Sequence, residues 1–220
     1  MTQKKATKPI EWIFQFWAWQ LLAWTLYRYF LHFPEWVDEF LMKPLVFVVP
    51  VVWYVLRREH RRLSTIGITT KQATHSVLIG FVVGAIFLLE GVVVSFVRHG
   101  GFRIQTVVTD LSSPLGLLVL LSLATACSEE LLSRGFLLSR LYEQTKQFWY
   151  SILLSTGMFV AFHIPILVTS LKFQGPTLLL FFFTNIVIAL INGMIVLQTK
   201  SLVAPVLIHF FWNMTVLLFL

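Results

Sequence analysis

Cysteine is almost missing from this chain. Cys127 is the only one in 220 residues, which excludes an internal disulfide framework. Charge is scarce too: Asp, Glu, Lys and Arg make up 12% of the residues, where an ordinary soluble domain carries about a quarter. So few charges cannot cover a water-exposed surface of this size. What takes their place is apolar, since hydrophobic residues reach 57% and include 21 Phe and 8 Trp. Several uninterrupted apolar runs approach the roughly 20 residues that span hydrocarbon as a helix. The chain therefore reads as an all-α polytopic membrane bundle. No internal sequence repeat is evident, so nothing points to an inverted-repeat transporter.

Seven spans are predicted, at about residues 10–31, 40–56, 75–97, 115–141, 148–171, 177–197 and 202–220. The first is rich in Trp and is expected at the bundle periphery. The link before the second, residues 32–43, contains Pro34, Glu35, Asp38 and Glu39 and reads as an acidic loop. Ser112, Ser113 and Pro114 look like the start of the fourth span. The whole chain, 1–220, is expected to form one integral-membrane domain, with a catalytic core at about 115–220 and accessory spans at about 10–97. The polar, basic start at residues 1–8 and the long Trp-rich run after it do not resemble a cleavable signal.

Lys and Arg number 17 against 10 Asp and Glu, a formal net charge of +7. This excess lies in loops beside spans, which fits topology and anionic lipid rather than nucleic acid. With the N-terminus cytoplasmic, the inner side collects Lys4, Lys5, Lys8, Arg57, Arg58, Arg61, Arg62, Lys71, Arg140, Lys146 and Lys200. The outer side holds Arg28, Lys43, Arg98, Arg103 and Lys172. That is eleven against five, the asymmetry expected of an N-in protein.

Against this apolar background one stretch stands out. Glu129, Glu130 and Arg134 fall inside the fourth run, where an ionised group costs several kcal/mol unless it is paired or faces a wet cavity. Glu130 and Arg134 are four apart, the favourable order for a helical ion pair. Glu129 lies about 100° around the helix and is expected to be the free carboxylate, available as a base. It sits roughly 20 Å into the span, somewhat nearer the end at Arg140, which predicts a site opening toward the cytoplasmic side.

Three further polar residues lie at comparable depth: His163 in the fifth run, with Phe159 before it and Pro165 after it, and His209 with Asn213 in the seventh. An Asn amide donates to a developing oxyanion, and His donates or ligates. Asn192-Gly193 in the sixth run is read as mainly structural, allowing close helix packing and a polar contact, and Cys127 as a small buried hydrophobe.

These residues resemble the CPBP family of intramembrane proteases (the CAAX protease, bacteriocin-processing and Abi group). Glu129, Glu130 and Arg134 match its first motif, Phe159 and His163 its second, and His209 and Asn213 its third. A Ser-Leu-x-x-Pro turn at Ser201, Leu202 and Pro205 precedes the third. Ser133 departs from the aromatic residue often found before the arginine. The resemblance covers about half of the chain.

It implies peptide-bond hydrolysis by activated water in a multi-pass protein of the cell membrane. Glu129 and His163 would deprotonate and orient the water, while His209 and Asn213 would stabilise the oxyanion. Glu130, Arg134 and Phe159 would support them. The expected partners are the lipid bilayer and a membrane-associated peptide or protein, such as a prenylated CAAX-type C-terminus or a bacteriocin leader. The alternative is a non-proteolytic scaffold or bacteriocin self-immunity protein. No cofactor is expected to be required. A Zn²⁺, if used, would fall to Glu129, His163 and His209, although no HExxH spacing is present. Oligomeric state is left open.

Overall fold

The computed structural model describes residues 10–101, 115–172 and 174–219. The expected helix start at Ser112, Ser113 and Pro114 lies outside them. Among the described residues the fold is all helical, with seven main helices: α1 Glu11–Phe30, α2 Glu35–Arg58, α3 Ala73–His99, α4 Leu115–Thr145, α5 Phe148–Leu171, α6 Gly175–Thr199 and α7 Val203–Phe219. Helices α2 to α6 each contain a stretch long and apolar enough to cross a membrane, and α7 is a shorter apolar helix.

The largest departure from the sequence reading is in α2. The expected acidic loop is helical from Glu35 onward, because Pro34 immediately precedes it as a helix-starting residue. Interior prolines cost a backbone hydrogen bond and clash with the preceding turn. Here the helix widens to π-type turns over Asp38–Met42 and Pro44–Val48. Its first turns therefore carry Glu39 and Lys43 into the bundle.

Helix α1 lays one face on the bundle and leaves Trp19, Leu22, Leu26 and Tyr29 exposed on the other. Ile13, Gln20, Trp24 and Tyr27 are buried. The Trp17 indole donates to the Met158 carbonyl and the Trp24 indole to the Phe162 carbonyl, both at 3.1 Å. These carbonyls lie at or near the point where α5 breaks, because Pro165 has no N–H to return to the preceding turn. The break falls at Phe162 and His163.

Helices α3 and α7 lie against each other along a stripe of small residues. A Cβ on Gly80, Gly84 or Gly91 would stand 2.7, 2.2 and 2.5 Å from Leu207, Phe211 and Thr215 respectively. Small residues at this spacing let two membrane helices approach closely. At the far end of α4, buried Arg140 forks onto Glu59 at 2.6–3.1 Å and reaches the Thr65 carbonyl at 3.3 Å. One cation counted among the loop charges is thus a structural tie between the 57–66 connection and the bundle.

Candidate active site

Glu129 and Glu130 close the regular part of α4. Immediately after them the hydrogen bonding widens to π-type turns over Leu131–Leu138, a feature frequent at functional sites. Arg134 lies inside that widened stretch, fully buried with Glu130.

Glu130 pairs with Arg134 and has further partners besides. Its Oε1 lies 2.8 Å from His209 Nδ1, 3.1 Å from Asn192 Nδ2 and 3.3 Å from an Arg134 guanidinium nitrogen. Arg134 also stacks over Phe159, its Cζ 4.0 Å from the ring centroid. Asn192 makes a polar contact within the bundle. Its amide donates both to Glu130 and to the Pro205 carbonyl at 3.2 Å, tying α4, α6 and α7 together.

Glu129 is not free, which corrects the division of labour read from the sequence. Its Oε1 lies 3.1 Å from Nζ of Lys43, which is buried and also 2.6 Å from Glu39. The sequence reading left Lys43 in an outer loop because three acidic residues and Pro34 looked like a linker. The usable signals were the i,i+4 spacing of Glu39 and Lys43 and the proline at the helix start. The other oxygen, Oε2, is buried and accepts no hydrogen bond among the described residues. It stands 3.8 Å from Nε2 of both His163 and His209.

The two imidazoles are turned alike. His163 Nδ1 lies 3.1 Å from the Phe159 carbonyl, and His209 Nδ1 faces Glu130. With a proton on Nδ1, His163 turns an Nε2 lone pair toward Glu129 Oε2, and Nε2 of His209 faces the same oxygen. Side chains from α4, α5 and α7 thus converge on one gap. Asn213 is one turn beyond His209 on α7, and its amide donates to the Ser122 carbonyl at 3.3 Å, about two turns before Glu129 on α4.

A tetrahedral Zn²⁺ places its ligand atoms about 3.3 Å from one another. The 3.8 Å spacings are wider, and the Lys43 ammonium already holds the carboxylate. No group of three His, Cys, Asp or Glu among the described residues is arranged to hold a metal ion. The site as built does not fit zinc.

A small cavity adjoins the gap, lined by Lys43, Glu129, Ser133, His163, Trp24 and Ile166 among others, with about 50 Å³ open to water. A water needs about 10–15 Å³ measured this way, so the cavity admits a few waters and no peptide. Ser133, the position that departs from the family pattern, forms part of its wall. Glu129 lies near the middle of α4, because that helix continues to Thr145. Cys127 is exposed and lines a separate apolar groove with Leu131, Phe81 and Val206, so it is not the buried hydrophobe expected.

Residues 111–215 match the family described as Type II CAAX prenyl endopeptidase Rce1-like. The match spans just under half of the chain and includes every motif residue from Glu129 to Asn213. No curated protein and no solved structure matches the chain.

Proposed function

We propose that this chain, a member of the CAAX protease family through residues 111–215, is an intramembrane endopeptidase that cleaves a membrane-associated peptide or protein with Glu129-activated water. A prenylated CAAX-type C-terminus is the first substrate to test, given the family. The observation that carries the reading is Glu129 Oε2, which accepts no hydrogen bond among the described residues and stands 3.8 Å from two imidazole Nε2 atoms.

A water in that gap donates one O–H to Glu129 Oε2 and the other to His163 Nε2. Its lone pair is left for the scissile carbonyl. Attack breaks the first O–H bond, forms the C–O bond and leaves the proton on Glu129. Charge then sits on the carbonyl oxygen. His209, oriented at Nδ1 by Glu130, donates from Nε2 to this oxygen, and Asn213 gives up the Ser122 carbonyl to become a second donor. The C–N bond breaks as Glu129 returns its proton to the leaving nitrogen. No metal takes part. Substrate enters by parting the helices around Trp24 and Ile166, because the cavity of about 50 Å³ is too small for a peptide.

The test is cleavage of a farnesylated C-terminal peptide in ¹⁸O-labelled water, read by mass spectrometry. The expected product carries one ¹⁸O in its new carboxylate. An intact peptide with the pure, folded protein favours the scaffold alternative.

A further inference from the structure

We propose that Lys43 and Glu39, on a helix outside the matched region, are positioning residues of the active site: Lys43 fixes Oε1 of Glu129 so that only Oε2 is presented to the reacting water. This rests on the hydrolytic reading above.

Lys43 is 4% exposed, and its ammonium lies 2.8 Å from one Glu39 oxygen, 2.6 Å from the other and 3.1 Å from Glu129 Oε1. A buried ammonium needs a counter-charge, and Glu39 alone provides it. A purely structural pair would stop there. Instead the third N–H is spent on Glu129, leaving two carboxylates around one ammonium at membrane depth. Thr125, one turn before Glu129 on the same helix, donates its hydroxyl to Glu39. The Glu39–Lys43 unit is therefore docked on α4 at both ends of that turn. The Trp24 ring, 5.9 Å from the ammonium, closes its remaining side.

The arrangement suits the proposed reaction. When Oε2 takes the water proton, negative charge leaves Glu129 for the tetrahedral oxygen. Lys43 stays balanced by Glu39 throughout and loses no proton. A carboxylate free to rotate would offer either oxygen, in varied directions. One held at Oε1 offers a single oxygen along a single line, the kind of alignment whose loss by about 1 Å costs on the order of 10²-fold in rate.

The experiment compares Lys43→Met, Lys43→Arg, Lys43→Ala and Glu129→Gln in nanodiscs, on a quenched farnesylated peptide. Lys43→Met is expected to lower kcat on the order of 10²-fold with KM little changed. Lys43→Arg, or methylammonium added to Lys43→Ala, is expected to restore much of the loss. A tie that only held α2 to α4 would lower the folded fraction and leave kcat per folded molecule intact. Folded Lys43→Met with wild-type kcat, while Glu129→Gln is inactive, overturns this inference alone. Glu129→Gln with wild-type kcat overturns the hydrolytic reading and the inference with it. Thermal unfolding gives a substrate-free check: the double variant Lys43→Met/Glu129→Gln should lose less stability than the two single variants added together, and strict additivity would contradict the contact.

Discussion

The imidazole of His209 and the carboxylate of Glu130 meet at 2.8 Å, Nδ1 to Oε1, across 79 residues of sequence. One carboxylate therefore sets the ring orientation of a candidate catalytic histidine and neutralises Arg134 as well. The two carboxylates of α4 differ by a single position, and that step separates the buried brace from the proposed base.

Removing the brace should destabilise the fold. Glu130→Ala leaves Arg134 buried without its counter-charge, a loss on the order of 3–5 kcal/mol for a broken buried pair. Thermal melts in detergent should show a large fall for Glu130→Ala. The double variant Glu130→Leu/Arg134→Leu should recover much of it, because no lone charge remains buried. It should stay inactive, since His209 loses its orienting partner.

The proposed water acceptor and the proposed oxyanion donor should each act on kcat. His163→Ala removes the group that receives the water's second O–H, and is expected to lower kcat by about 10²–10⁴-fold. Asn213→Ala removes a proposed oxyanion donor and is expected to cost about 10²–10³-fold. Peptide cleavage kinetics check both, and in each case KM should change little.

Chelation should leave activity in place. Exhaustive treatment with a zinc chelator, followed by elemental analysis, is expected to give a protein without stoichiometric metal and with its full cleavage rate. Loss of activity that added Zn²⁺ restores would contradict the metal-independent mechanism.

The α3–α7 stripe gives a prediction about packing alone. In Gly84→Val the new Cβ would stand 2.2 Å from Phe211, a contact that neither helix can accommodate without moving. Since α7 carries His209, the expected result is a lower melting temperature together with reduced activity. Leu120→Ala, at an exposed position on α4, should change neither.

Much of the site was legible because charged and imidazole groups are costly at membrane depth, so their presence is itself a signal. Glu129, Glu130, Arg134, His163 and His209 could be found that way, and the structure brings all five together. Asn213 could be found too, though its amide turns to Ser122. Lys43 escaped because the same polarity that marks a site inside a long apolar run looks like a linker at its edge. The sequence pattern could not set how far α2 extends, since that depends on Pro34 starting a helix rather than interrupting one. The role of α1 was hidden for a related reason: tryptophan suits the membrane interface, yet Trp17 and Trp24 donate instead to carbonyls of α5 near its break. The partner of an indole is a tertiary fact with no local pattern. Asn192 could be located in the sequence, but its bond to Glu130 depends on how α6 crosses α4.

The central claim is that Glu129 takes a proton from water during peptide hydrolysis, and Glu129→Gln tests it most directly because it keeps the side chain's size and Lys43's neighbour while removing the base. Single-turnover cleavage of a farnesylated peptide by the folded variant is expected to fall by at least about 10²-fold, with substrate still bound. Cleavage at the wild-type rate would contradict the account.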